Sequence, residues 1–434
     1  MQETELYQYW QYYARKGSSF EMQGHTLQIL NQGQFNFTRG PDVRGAMFNL
    51  DGVIYHGDVE FHVLPADWYR HQHHLDRAFQ NVILHLVGDD PGSESRKISH
   101  GLDGRLIPTF ILPKPETSFF QTHPANHCRE SASFRTGLKE KLERLALERL
   151  NIKVRQFTHL LNYQSPESIL YRYIFRALGY PHNAAAFEQL AERLEWPWML
   201  WWTENISDDP KTLYSVYAGH ASFLSEKSPD PVITEMLNIY KNAKIYLKSA
   251  PIDPGQWQFA STRPANHPHF RLAAWVWLLN QNHFESPQSV FMEILGSRQK
   301  YRPAYRKILD YFKVRVNPYW LEHSALGRER TGVIPVYFFG EARISEFIVN
   351  VLLPLYIAMA AREGSDGFQT YLESFYLWLP LPVSYRTLRQ KFSFYSDCIK
   401  VWNGQGMQQA LLHLQSGFCL FRECNRCPLK RKND

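Results

Sequence analysis

The sequence predicts an α/β N-terminal domain followed by a mostly all-α C-terminal region. Three observations predict it. Apolar residues alternate with period two over the first quarter of the chain, they recur at helical spacing beyond residue 137, and the stretch between is broken by Pro and lacks periodicity. A length of 434 residues agrees, being more than one hydrophobic core usually serves.

Residues 3–15 read as a helix, with Leu6, Trp10 and Tyr13 about one turn apart. Segments 26–30, 46–50 and 53–63 are short, rich in Val, Ile, Leu and Phe, and punctuated by Gly, Asn and Asp, which predicts a three-strand meander. A second helix is expected over 67–80, with Asp67 as its cap and Trp68, Leu75 and Phe79 on one face. Strands follow at 82–87 and 105–112, the latter stopped by Pro113 and Pro115. Leu138, Leu142 and Leu145 start a helix rich in Glu, Lys and Arg, and further helical segments are expected near 167–178, 184–195, 231–248, 270–282, 288–296, 345–362 and 405–415, with no fixed repeat period. The domain plan is therefore 1–115 α/β, 116–136 linker, 137–395 helical, and 396–434 a cysteine-rich module.

Composition narrows the classes. Charged residues at 21% and hydrophobic ones at 44% exclude disorder and fibrous repeats. A net charge of +6 permits a nucleic-acid partner without demanding one. The opening residues lack a basic and apolar leader, and the most apolar run, 347–361, is shorter than the roughly 20 residues that span a bilayer, so a cytoplasmic protein with no membrane partner is expected. Five cysteines exclude a disulfide-stapled scaffold.

The chemistry concentrates in one hairpin. Asp51-Gly52 between two strand-like runs signals a tight turn, because both residues tolerate positive φ. In the second strand Val53, Tyr55, Gly57, Val59 and Phe61 point one way, and His56, Asp58, Glu60 and His62 the other. If that titratable face is covered, its carboxylates must be paired, hydrogen-bonded or metal-bound. Asp42 faces Glu60 only if the turn has three residues or the pair carries a bulge; a plain two-residue loop sets it against Phe61. His71 and His74 share one side of the expected helix and His73 points elsewhere, so His73, His74 and His85 are expected as structural histidines, with His71 evenly split between the two roles.

Pro41-Asp42 followed by Glu60-Phe61-His62, in this element order, resembles the PD-(D/E)XK nuclease superfamily, that is, a restriction-endonuclease-like fold. The resemblance implies a metal-dependent nuclease in which Asp42 and Glu60 bind Mg²⁺ or Mn²⁺ and His62, standing where the superfamily usually has Lys, is base or ligand; Asp58, His56 and His71 are expected around them. The alternatives are a non-catalytic nucleic-acid-binding or scaffold protein that keeps the fold, and a zinc-dependent hydrolase using the histidines. His71-X-His73 with Asp76 is similar to the metallo-β-lactamase zinc motif, but its Asp and His positions are occupied by Leu75 and Asp76. Gly40-Pro41-Asp42, the 57–62 segment, 67–73 and the terminal cysteines together resemble an uncharacterised bacterial family of about this length.

Cys398, Cys419, Cys424 and Cys427 have the spacing for four thiolates on Zn²⁺ or a [4Fe–4S] cluster. Arg263, Asn266 and Arg271 precede an apolar helix and could cradle a phosphate; a structural reading, with Asn266 as cap and the arginines paired to carboxylates, is favoured. The Trp-rich joint at 196–202 is expected as core rather than as a stacking surface.

Overall fold

Asp51 and Gly52 both take positive φ (50° and 93°) and close a two-residue turn between β4 (Val43–Leu50) and β5 (Val53–His62), so that Leu50 pairs with Val53. This hairpin centres the sheet. The computed structural model describes residues 5–7, 9–10, 14, 17–36, 40–88, 99–112, 137–179, 182–259, 262–331, 335–382, 385–392, 394–419 and 427–429. They divide into two units, residues 1–137 with 412–434, and residues 138–411. The expected linker lies outside the described residues, and the segment expected as one cysteine-rich module is divided between the two units.

In the first unit, helical residues 5–7 and 9–10 (α1) precede β1 (Ser19–Met22), β2 (His25–Asn31) and β3 (Gln34–Phe35). After the hairpin come β6 (Val82–Val87), β7 (Ser99–His100), β8 (Leu106–Ile107) and β9 (Thr109–Ile111). The main sheet runs β1-β2-β4-β5-β6-β9, with β3 also on β4. Pairs up to β5 are antiparallel, and β5-β6 and β6-β9 are parallel. Pro108 lacks the N–H a continuous strand needs, and the stretch expected as one strand is divided there into β8 and β9.

Strand alternation sorts the faces. Val59 and Phe61 of β5 join Leu6, Trp10, Phe48, Leu84 and Leu86 in one core. Glu60 and His62 project to the other face, where Trp68, Phe79, Val82 and Ile107 form a smaller cluster. All six residues of β6 are buried, as expected of a parallel strand covered on both faces.

Segment 67–80 is not the single helix its pattern suggests. One turn, α2 (Asp67–Arg70), is followed by 3₁₀ turns at His73–Leu75 and Arg77–Phe79. Gln72 between them sits at φ 60°, a left-handed conformation that an α-helix cannot continue through. Asp67 lies inside the turn rather than capping it, pairing with Arg70 at 2.9 Å and accepting from the Leu64 N–H at 3.2 Å.

The second unit is helical. Ser165, Asp209, Asp230 and Asn317 each cap a helix whose first residue is Pro, accepting backbone N–H bonds of 2.7–3.2 Å. That combination suits a helix start, since Pro fixes φ and has no donor to leave unpaired. The aromatic residues fill the core: Tyr171 and Phe175 pack on Trp275 with ring centroids 5.5 and 5.3 Å apart. The Trp-rich joint is itself a helix, Trp196–Asn205, with Trp196 and Trp202 buried. The apolar run extends further than expected, as a helix over Glu341–Arg362 that is long and apolar enough to cross a membrane; 83% of its most apolar window is buried within the protein. Pro354 does not end it, because residues Ile348–Leu352 widen to a π-turn.

Candidate metal centre

Glu60 and His62 end β5 at 5% and 1% exposure. The crossover from β5 to β6 covers them. Trp68 of α2, fully buried, packs against the rings of His85 (5.3 Å) and His73 (5.4 Å). The left-handed Gln72 then turns the chain back, laying the His73 ring parallel to that of His62 at 5.1 Å and against Phe79 at 3.8 Å. His71 approaches His62 edge-on at 5.0 Å.

Nitrogens of His62, His71 and His73 all lie within 4.8 Å of one another. His62 Nε2 is 3.1 Å from His71 Nδ1. Glu60 Oε1 borders the group, 3.3 Å from His73 Nε2 and 3.8 Å from His62 Nε2. Three imidazoles and a carboxylate are the donor set that suits a borderline transition metal such as Zn²⁺ or Mn²⁺ rather than Mg²⁺. His71 is exposed, so the cluster opens to solvent on that side.

Asp42 reaches the same neighbourhood through a bulge. Register runs Leu50 with Val53 to Ala46 with Gly57, then slips by one so that Val43 pairs with Val59, which brings Asp42 opposite Glu60. Gly45 takes φ 66° in the bulge, and its N–H donates to Asp58 Oδ1 at 3.0 Å. The two carboxylates then clasp each other's strands. The Asp42 N–H donates to Glu60 Oε2 at 3.0 Å, and the Phe61 N–H donates to Asp42 Oδ2 at 2.9 Å. The Tyr7 hydroxyl donates to Asp42 Oδ1.

Behind the cluster runs a buried hydrogen-bond chain. His62 Nδ1 is 2.8 Å from His85 Nε2, and His85 Nδ1 is 2.7 Å from Ser99 Oγ. Its protons can all point either way. In the direction where His62 Nδ1–H donates to His85 and His85 Nδ1–H to Ser99, His62 Nε2 keeps its lone pair for the cluster. Burial, reinforced by neighbouring imidazoles, holds these rings neutral: it pushes His62 down to about 2, His73 to about 4 and His85 to about 3.

Of the residues the sequence singled out, Asp42, Glu60, His62 and His71 are brought together. His56 is exposed midway along the hairpin, and Asp58 serves the bulge. His73, expected to point away, lies in the cluster because of the Gln72 reversal, and His85 is part of the chain behind it. Ser99 and Tyr7 carried no sequence signal, since their partners are 14 and 35 residues away.

The other candidates lie elsewhere. Cys398, fully buried in helix Tyr395–Val401, belongs to the helical unit, and burial pushes its thiol up to about 12. Cys419 and Cys427 are half-buried and belong to the first unit; Cys424 lies outside the described residues. Arg271 is buried, donating to Asn266 Oδ1 at 2.6 Å and to the Phe338 carbonyl at 3.4 Å. Asn266 does not cap the following helix, whose N-cap is His267, and Arg271 has amide and carbonyl partners instead of a carboxylate. Arg263 is exposed.

These features define a class: a mixed-sheet α/β domain with a histidine cluster of metal-ligand geometry at the end of a central strand, in a chain with a separate helical unit. The chain belongs to the DUF2851 family, described as a protein of unknown function, whose family model matches residues 3–380. No curated protein and no solved structure matches it.

Proposed function

We propose that the protein is a metal-dependent hydrolase of phosphodiester bonds in nucleic acid, with the metal held by His62, His71 and His73. The observation that carries this reading is the convergence of the three imidazoles beside Glu60. A bound Zn²⁺ or Mn²⁺ supplies Lewis-acid polarisation and an activated water. The chain's own groups have separable tasks. Glu60 Oε2 is fixed by the Asp42 N–H, which directs Oε1 at His73, where a carboxylate can take a proton from a nucleophilic water or complete the ligand set. Asp42, itself held by Tyr7 and Phe61, positions Glu60.

Nucleic acid as substrate is favoured by the order of elements, a helix, an antiparallel meander and a parallel strand, which follows the PD-(D/E)XK core except that its second helix is here one α-turn and two 3₁₀ turns, and by Asp42 standing opposite Glu60. His62 stands where the superfamily usually has Lys, and three imidazoles gather beside Glu60, which moves the expected metal from Mg²⁺ toward Mn²⁺ or Zn²⁺.

A second reading has one observation in its favour. Both Asp42 oxygens accept protein hydrogen bonds, as suits a non-catalytic scaffold that keeps the fold. One experiment separates the two. Demetallated protein, and its His71→Ala and His73→Ala variants checked for folding by circular dichroism, are loaded with Zn²⁺ or Mn²⁺, analysed for metal, and screened on single- and double-stranded DNA and RNA. The hydrolase reading expects one metal per chain and cleavage, both lost in the variants. Metal uptake without cleavage of any polymer selects the scaffold, and uptake unchanged in both variants overturns the metal centre.

A further inference from the structure

Between residues 298 and 315 the chain carries seven Lys and Arg against one acid, Asp310, a net charge of +6. That equals the formal charge of all 434 residues, so the rest of the chain balances to zero. All seven cations are exposed, and among the described residues none of them makes an ion pair.

Helix Tyr301–Tyr311 organises them. Its Ala304, Tyr305, Ile308 and Tyr311 are buried, which sends Arg302, Arg306 and Lys307 to solvent. Arg302 and Arg306 are one turn apart, a spacing at which like charges repel. Lys300 and Arg302 stand at the start of the helix, where the backbone dipole disfavours cations and the first turn offers no acid to offset them. A solvated helix gains nothing from this arrangement, and an anionic partner removes its cost.

A row of rings on helix Asp366–Trp378 holds this segment in place. Phe368 lies under the Arg298 guanidinium at 5.5 Å, Phe375 is parallel to Tyr301 at 5.5 Å, and the Tyr371 hydroxyl donates to the Gln299 carbonyl at 2.8 Å. Phe368 and Phe375 are buried, but Trp378, which ends the row, is 37% exposed. Its ring is 5.8 Å from Tyr301 and 6.2 Å from Tyr305, the residues just before Arg302 and Arg306. Two carboxylates adjoin the face, Asp310 on the next turn and Glu341, which accepts from the Tyr305 hydroxyl at 3.2 Å.

We infer that the exposed face of helix Tyr301–Tyr311, with Trp378 beside it, binds single-stranded nucleic acid. The cations are spread along a helix and its flanks instead of converging on one point, which suits a chain of phosphates better than a lone anion. Trp378 selects the single strand, because an exposed indole next to phosphate-binding side chains can stack an unpaired base, and a duplex keeps its bases inside. The inference rests on the proposed reading for nucleic acid as the partner, and deepens it by naming the form of the polymer and a surface for it in the helical unit, apart from the unit that holds the metal centre.

Fluorescence anisotropy of the full, metal-free chain in a chelating buffer tests it, with a labelled oligothymidylate and a labelled duplex of the same length as probes. Binding is read apart from cleavage. A protein that binds the strand and cuts no polymer loses only the hydrolase reading, and one that cuts without using this face loses only this inference. Wild type is expected to hold the single strand more tightly than the duplex, and to release it as salt rises. Arg302→Glu combined with Arg306→Glu is expected to lower affinity about tenfold or more and to flatten the slope of log K against log salt by about 1.4, the share of two phosphates. The control, Lys227→Glu combined with Lys248→Glu, changes the net charge equally at exposed positions of the same unit and is expected to keep most of the affinity. Trp378→Ala is expected to weaken single-strand binding about tenfold, and Trp378→Phe to restore most of it. No saturable binding by wild type, a duplex held as tightly as the single strand, equal losses in the arginine and lysine pairs, or full affinity in Trp378→Ala overturns the inference.

Discussion

His62 Nδ1 lies 2.8 Å from His85 Nε2, so the imidazole at the centre of the cluster is oriented by a buried residue that touches none of the other cluster histidines through a hydrogen bond. His85 is in turn anchored on Ser99. Replacing His85 by Ala, or Ser99 by Ala, is expected to weaken metal binding 10- to 100-fold while leaving every candidate ligand in place. Competition with a chelator of known affinity measures this, and unchanged affinity in both variants would show that the chain does not position His62.

Glu60→Gln separates ligand from base. A proton acceptor next to the metal predicts that the variant still binds metal and loses about 10² or more in cleavage rate. Loss of metal together with activity would make Glu60 a ligand instead. Metal analysis beside single-turnover cleavage reads both.

The bulge is needed to bring Asp42 to Glu60. Gly45→Ala forces a side chain into φ 66°, which costs about 1 kcal/mol, whereas deleting Gly45 removes the extra β4 residue and keeps Asp42 opposite Glu60 in a plain ladder. Urea denaturation is expected to show a modest loss for the substitution. The deletion is expected to keep the Asp42–Glu60 contact and the metal affinity, which chelator competition measures.

His220 gives the helical unit a pH dependence of its own. Burial, with the Arg193 charge adding to it, lowers its pKa to about 4, and its ring nitrogens meet Ser249 Oγ at 2.9 Å and the Tyr240 hydroxyl at 3.5 Å. The unfolded chain therefore binds the proton more tightly. The stability from a neutral His220 is complete above about pH 6.5 and falls as pH drops toward 4, by up to about 3 kcal/mol. Other buried histidines act in the same sense, so the measurement is wild type minus His220→Gln in urea titrations from pH 4 to 8. An unchanged difference across that range would remove His220 from the acid response.

Much of the sheet was legible because strand alternation is local. The period-two pattern of β5 placed Glu60 and His62 on one face, Asp51-Gly52 announced its turn, and the need for a bulge to pair Asp42 with Glu60 followed from counting residues. His73 was not legible. Its direction depends on the backbone of Gln72, a residue with no strong preference for left-handed φ, and helical periodicity pointed it the wrong way. Ser99 and Tyr7 enter through tertiary contacts that no local pattern encodes. The π-turn was equally hidden, since segment 345–362 reads as a plain helix through Pro354 and no local pattern announces the widening at Ile348–Leu352.

The three clustered histidines lie within twelve consecutive residues, 62–73. Closing so short a loop costs little chain entropy, whereas joining β2 to β4 or β6 to β9 requires longer loops. On the proposed metal-centre reading, an ion gathers this segment before the sheet exists and acts as an early folding nucleus. The same locality lets the unfolded chain retain the ion, so loading the protein with metal speeds its folding more than it raises its equilibrium stability.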